Sequence, residues 1–156
     1  MTVTIVDVTF ERATVADVAA LTAIEKRTFD DDSQKLLGVE VGGPPGYDSE
    51  EWTLRMVHTA PVFKILCEGQ LVGGMIVLDM GQGHFELGRI WIDPDYHNRG
   101  IGGKALAYIE QAFSQATRWT LDTPTWATRN RYFYAKHGYR EVREGDGFVY
   151  FEKRVK

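Results

Sequence analysis

Residues 96–106 read YHNRGIGGKAL and set three glycines, Gly100, Gly102 and Gly103, directly ahead of a segment whose apolar residues recur at helical spacing. The start of a helix exposes about four unpaired backbone NH groups and carries about half a positive charge, which together attract anions. Glycines let that backbone approach a pyrophosphate with no Cβ in the way. The run ELGRIWI ahead of the loop is strand-like, so the order is strand, loop, helix, as a phosphate cradle requires. Spacing alone leaves two readings open, an ordinary tight turn and an anion site.

Two phosphate fingerprints fit the loop poorly. A dinucleotide loop of the form G-x-G-x-x-G/A is met in spacing by Gly100, Gly102 and Ala105, but the strand before it sits mid-chain, in a run that reads as antiparallel strands. A P-loop ends in Gly-Lys-Ser/Thr; here Gly103 and Lys104 are followed by Ala105, which offers magnesium no hydroxyl, and Asn98 stands where the leading glycine belongs.

Other reactive groups are few. Cys67, the single cysteine, lies in the apolar run VFKILCE and reads as a small core residue, so neither a disulfide framework nor a cysteine metal site is expected, and no metal is called for. With 18 basic and 22 acidic residues the net charge is -4 and the basic residues are scattered, which argues against a nucleic-acid partner. The 44% apolar and 26% charged composition is that of a globular protein, and no run of about 20 apolar residues could span a membrane. The first 17 residues have no basic leader followed by an apolar stretch, and Asp7, Glu11 and Asp17 oppose a transit peptide, so the cytoplasm is expected.

The elements that must position the loop follow from periodicity and punctuation. Val3–Arg12 reads as a strand, and Thr14 and Asp17 lead into a helix with Val18, Leu21 and Ile24 on one face, ending near Thr28. Residues 30–48, with DDD and GGPPG, read as an irregular connection. Asp48 or Ser49 caps a second helix from Glu50 to about His58. Val62–Glu68, Leu71–Asp79 and Phe85–Ile92 follow as three strands. After the glycines a helix buries Leu106, Ile109 and Phe113 with Ala105, Ala112 and Ala116, and presents Lys104, Tyr108, Gln111 and Gln115 on its other face. A strand at Arg118–Asp122, a helix at Ala127–His137 and a terminal hairpin around Val142 and Phe148–Glu152 complete the order β, α, α, β, β, β, α, β, α, β, β. That order predicts an α/β fold of the α+β type, a mixed twisted sheet with helices on both faces. A length of 156 residues suits one domain, 1–156.

Two stretches carry a family resemblance. ELGRIWIDPDYHNRGIGGKALAYIEQAF resembles the signature of the GNAT superfamily of N-acetyltransferases, a strand leading into a Gln/Arg-x-x-Gly-x-Gly/Ala loop and a long helix, with His97, Gly100 and Gly102 on the marked positions. NRYFYAKHGY resembles the family's later motif, with Phe133, Tyr134, Lys136, Gly138 and Tyr139 in its places. The resemblance covers most of the chain and is weakest at residues 30–48. It implies a mostly antiparallel sheet and acetyl-CoA as co-substrate, its pyrophosphate on the backbone NH groups of Arg99, Gly100, Ile101, Gly102 and Gly103, with the charges of Arg99 and Lys104 helping and His97 and Asn98 also in the cofactor site. Its pantetheine arm would pair with the backbone of Ile90, Trp91 and Ile92, and Asn130 would contact that arm. His97 departs from the family pattern, replacing glutamine or arginine with an imidazole that is either a solvated loop residue or a phosphate contact.

The implied reaction moves an acetyl group from a thioester to an amine. An alkylammonium of pKa about 10.4 is only about one part in 2,500 neutral at pH 7, so a base is needed. The family often places a glutamate on the strand before the loop, which here is Glu86, with Asp122 a weaker candidate. Tyr134 would donate a hydrogen bond to the departing sulfur. The acceptor pocket would be lined by Glu25, Phe29 and Trp126, with Thr28 and the Asp30–Asp32 run nearby. No cysteine or serine is placed to carry the acetyl group, so direct transfer to a small-molecule primary amine in a ternary complex is expected. A non-catalytic acyl-CoA sensor and a peptide or protein N-acetyltransferase are the alternatives. Oligomeric state is not legible in the residues; a homodimer is the common assembly in such families.

Overall fold

Seven strands form one sheet in the computed structural model, which describes residues 7–155. They are Val8–Arg12 (β1), Val62–Cys67 (β2), Gln70–Gly81 (β3), His84–Ile92 (β4), Arg118–Pro124 (β5), Arg140–Gly145 (β6) and Phe148–Arg154 (β7), in the order β1-β2-β3-β4-β5-β7-β6. Pairing is antiparallel for β1 with β2, β2 with β3, β5 with β7 and β6 with β7, and parallel for β4 with β5. The helices are Val18–Leu37 (α1), Glu50–Thr59 (α2), Ile101–Ala112 (α3) and Thr128–Lys136 (α4), with 3-10 turns at Val15–Asp17 and Pro94–Tyr96. The element order is the one periodicity predicts. Residues 3–6 of the expected first strand lie outside the described residues.

The chain clusters into two compact units. The first holds the described residues up to Ile76 together with Arg89–Tyr108, and the second holds Val77–Gly88 and the residues from Ile109 onward. In the first, Leu21, Val62, Ile65, Val72, Met75, Trp91, Ile101, Ala105 and Leu106 form the core. The middle of β3, from Val72 to Val77, is buried without alternation, as befits a strand covered on both faces. Gly73 is there for space: a Cβ on it would lie 2.1 Å from the Trp91 carbonyl oxygen and 3.1 Å from the Ile92 Cα. Backbone cannot turn aside as a side chain can, so Gly73→Ala is expected to cost about 1–3 kcal/mol of stability, measured by chemical denaturation. In the second unit Phe85, Leu87, Ile109, Trp119, Leu121, Val149 and Phe151 are buried. Phe85 there meets Phe113 and Trp119, with ring centroids 5.1 and 5.5 Å away.

Two local expectations are corrected. Helix α1 does not end near Thr28 but runs on through the acidic triplet to Leu37, stopping at Gly38 with φ 72°. No apolar periodicity marks this extension; ion pairs four residues apart support it instead, Lys26 with Asp30 and Lys35 with Asp31 at 3.1 Å. The segment that follows is held back onto α1. Asp30 accepts from the Gly42 NH at 2.9 Å and from the Tyr47 hydroxyl at 2.7 Å, and the Ser33 hydroxyl donates to the Gly42 carbonyl at 2.8 Å. On α3, Ala112 is exposed, and Tyr108, expected on the solvent face, is half-buried, stacking on Phe10 at 4.7 Å and meeting Phe63 edge-on at 5.6 Å. An aromatic ring has more apolar surface to bury than an alanine.

Candidate active site

The loop after β4 is built by short-range contacts. Asp93 caps the 3-10 turn, its side chain accepting from the Asp95 NH at 3.0 Å, and Arg27 pairs with the same carboxylate. Asn98 and Gly100 then take positive φ values of 62° and 77°, reversing the chain so that α3 starts at Ile101. The bond from the Lys104 NH to the Gly100 carbonyl, at 3.2 Å, closes the first helical turn. The NH groups of Ile101, Gly102 and Gly103 precede that bond, the position in which helix donors have no helical acceptor. A Cβ at Gly100 would meet no atom within 4 Å, so the glycine serves the backbone turn and leaves open space beside it. These features fit the pyrophosphate of acetyl-CoA.

Side chains in the loop face its own backbone. Arg99 donates to the Asp95 carbonyl at 3.2 Å and lies over the Tyr96 ring at 4.9 Å. His97 places Nε2 2.7 Å from the Ile92 carbonyl oxygen, a contact that requires the proton on Nε2. The imidazole is therefore tied through Nε2 to the end of β4, a contact that neither sequence reading included. Of the strand residues expected to face the cofactor arm, Ile90 and Ile92 are half-buried and Trp91 is buried at 2% exposure. The ladder between β4 and β5 pairs His84–Glu86 with Arg118–Thr120 and among the described residues goes no further.

In the second unit, Glu86 lies opposite Thr120, and Asp122, two residues on, shares the Thr120 face of β5. Partial burial pushes the Glu86 carboxyl above the ordinary carboxylate range, and the neighbouring charge of Asp122 adds to the shift. Asp122 keeps much of its residue surface in solvent, yet loss of water around its carboxyl raises it too. Tyr134 is buried, its ring packed near Tyr139, Phe151 and Phe133 at centroid distances of 5.9, 5.8 and 5.3 Å. Burial, and then the charge of Asp122, push its phenol above the usual value, so it stays protonated as a donor. Asn130 donates from Nδ2 to the Thr123 hydroxyl at 3.2 Å.

The residues expected to line the acceptor pocket fall in both compact units. Glu25 and Phe29 lie on α1 in the first unit, and Trp126, 38% exposed, lies in the second. Glu25 is fully buried; one carboxylate oxygen accepts from Arg89 at 2.9 Å and the other has no hydrogen-bond partner among the described residues. Burial pushes Glu25 up to about 7; the Arg89 charge and hydrogen bond oppose that shift, and Asp48 adds to it. Phe29 meets Tyr47 edge-on at 6.2 Å. Sequence reasoning missed Arg89, which also donates to the Pro45 carbonyl at 3.0 Å and lies over Trp52 at 4.3 Å. The available signal was a charged residue inside the apolar strand LGRIWI. Among the described residues no helix is long and apolar enough to cross a membrane, and no group of three or more His, Cys, Asp or Glu could hold a metal ion.

The family described as "Acetyltransferase (GNAT) domain" matches residues 58–141, more than half of the chain, and the chain belongs to the GNAT acetyltransferase family. The family is one of acetyltransferases, as the two motifs implied. The chain is 36% identical over 76 residues to the uncharacterized protein YrkN of Bacillus subtilis (strain 168), a stretch that spans 48% of this chain and 41% of YrkN. Among solved structures it resembles the PaiA N-acetyltransferase of Thermoplasma acidophilum in complex with coenzyme A, with a TM-score of 0.83 at 15% identity, covering 96% of this chain and 99% of that one. It also resembles the ribosomal-protein-S18-alanine N-acetyltransferase of Escherichia coli, with a TM-score of 0.74 at 17% identity and coverage of 96% and 94%. At such identities the likeness is one of fold, and the mixed, mostly antiparallel sheet predicted from the sequence is that fold.

Proposed function

We propose that residues 1–156 form one cytoplasmic N-acetyltransferase domain that transfers an acetyl group from acetyl-CoA directly to the primary amine of a small molecule. The observation that carries this reading is the loop from His97 to Lys104, which sets the first NH groups of α3, ahead of the Lys104-to-Gly100 bond, beside open space at Gly100. When bound, acetyl-CoA supplies the activated acetyl thioester. The backbone of residues 99–103 holds the pyrophosphate, and the backbone of Ile90, Trp91 and Ile92 receives the pantetheine arm as an added strand. Asn130, set by its bond to Thr123, borders that arm. His97 braces the loop against the strand end through Ile92.

Glu86 takes a proton from the acceptor ammonium, through water, and its raised pKa narrows the gap to an amine of about 10.4. Tyr134 donates a hydrogen bond to the sulfur as the carbon–sulfur bond breaks. Cys67 is buried and no other thiol exists, which supports a ternary complex without an acetyl-enzyme. Glu25, Phe29 and Trp126 remain the proposed acceptor-side residues.

A base must be deprotonated to act, so kcat/KM should fall as pH drops through the Glu86 pKa, in a window above the ordinary carboxylate range. Glu86→Gln is expected to lower the rate by about 100-fold and to remove that acidic limb. A Gln variant that keeps the limb would assign the base to another residue.

A further inference from the structure

In the second unit Phe85, Trp119 and Phe151 point into the core, so the residues that alternate with them, His84 and Glu86 on β4, Arg118 and Thr120 on β5, and Glu152 and Arg154 on β7, share the opposite face of the sheet. The register sets them in two rows. His84, Arg118 and Arg154 lie side by side across the three strands, and Glu86, Thr120 and Glu152 form the next row, two residues or about 7 Å along. The first row is basic and the second acidic.

The basic row holds more positive charge than its neighbours neutralise. Glu152 pairs with Arg118 at 2.9 Å, with Arg154 at 3.3 Å and with Arg140 of β6 at 3.6 Å, so three guanidiniums share one carboxylate, and none of them meets a second acid among the described residues. His84 adds no charge: Nδ1 accepts from Arg118 at 2.9 Å and Nε2 lies 2.7 Å from the Thr120 hydroxyl, so the proton sits on Nε2 and the ring is neutral. Beside this row is a cavity of about 340 Å³ lined by His84, Arg118 and Arg154 with Met80, Gln82 and Thr117, and by no acidic residue. In a chain of net charge -4, a pocket walled by two guanidiniums and no carboxylate suits an anion, and the planar guanidinium fork suits a carboxylate in particular.

We propose that the acetyl acceptor is a zwitterion, an amine whose carboxylate lies between Arg118 and Arg154 in this cavity while its ammonium group, about 7 Å away, meets Glu86. The inference deepens the acetyl-transfer reading and rests on it. One ammonium proton passes to Glu86, the nitrogen then bonds to the acetyl carbon as the carbon–sulfur bond breaks, and the second proton lost by nitrogen leaves with the thiol. Two opposite charges on the acceptor also fix its direction on the sheet, because the reversed placement sets like charges together at both ends.

Thiol release from acetyl-CoA with 6-aminohexanoate, beside hexylamine, in which a methyl group replaces the carboxylate, tests it. The zwitterion is expected to show a kcat/KM about tenfold above that of hexylamine, and Arg154→Gln to remove most of that preference, chiefly through KM. Arg154 is well exposed at the end of β7, and circular dichroism checks that the variant folds. Arg140→Gln takes the same charge from Glu152 without touching the cavity and should keep the preference within about twofold. Calorimetric binding of 6-aminohexanoate to the protein saturated with coenzyme A gives a readout independent of turnover. Hexylamine accepted as well as the zwitterion, equal losses in the two variants, or no binding of 6-aminohexanoate would overturn the carboxylate site and leave acetyl transfer standing. Binding that depends on Arg154, with no thiol released by any amine, would uphold the site and overturn the acetyl-transfer reading.

Discussion

Replacing Tyr134 with phenylalanine should lower the acetyl-transfer rate by about 100-fold while leaving acetyl-CoA affinity and folding near those of the parent. The ring contacts with Tyr139, Phe151 and Phe133 need only the phenyl group, so the packing survives the substitution. What is lost is the hydroxyl and its hydrogen bond to the sulfur. Reference values already make a phenol, at about 10, a weaker acid than a thiol at about 8.5, so full proton transfer is uphill by roughly 2 kcal/mol. Burial and the charge of Asp122 raise the phenol further, which makes Tyr134 a hydrogen-bond donor and not a full proton source. Its raised pKa also means that activity should show no basic limb from Tyr134 below about pH 10. Rates measured from pH 6 upward, with calorimetric binding of acetyl-CoA alongside, separate this role from a packing role. A variant with the parent's rate would remove Tyr134 from the reaction.

Removing Arg89 should have the largest effect on stability. Arg89→Met strips Glu25 of its one partner in a site with no exposure, and breaking such a buried pair costs about 3–5 kcal/mol. The cost depends on pH, with a definite sign. Glu25 has a folded pKa of about 7, above an unfolded value near 4.3, so the folded state holds the proton more tightly. Its contribution is therefore most favourable below about pH 4.3, declines as pH rises to about 7, and is flat beyond, a fall of about 4 kcal/mol in all. Without Arg89 the folded pKa rises further and the decline continues above pH 7. Urea unfolding should show parent and variant close together at pH 5 and far apart at pH 8. Glu25→Gln in the parent should flatten the slope, and Glu25→Leu with Arg89→Met should recover stability at pH 8. A variant whose deficit is the same at both values would mean that Glu25 does not carry the effect.

The legible parts of the molecule were those where local chemistry and tertiary structure agree. Strands β2 to β5, helix α3 and the loop between β4 and α3 follow from period-two and helical patterns bounded by glycine and proline, and Ser49 caps α2 as expected. The second half of α1 was hidden because Thr28–Asp32 has no apolar stripe; ion pairs and the bonds from Asp30 to the 42–47 segment hold it. The loop glycines and Tyr134 were visible because the motifs fix residue type and spacing. The partners of His97 and Glu25 were not, since a bond from an imidazole to Ile92 or from Arg89 to a helix 64 residues away leaves no mark on spacing. The acceptor side is the least legible for the same reason: no periodicity or motif marks its residues.

Thiol release from acetyl-CoA in the presence of an amine panel measures acetyl transfer itself. The panel should contain small primary amines beside peptides with a free N-terminus, with products identified by mass spectrometry. Enzyme-dependent release of coenzyme A, an acetylated small amine as product, and intersecting initial-rate lines that signal a ternary complex are the expected results. Tight binding of acetyl-CoA with no thiol released by any acceptor would contradict catalysis and make the domain an acyl-CoA sensor.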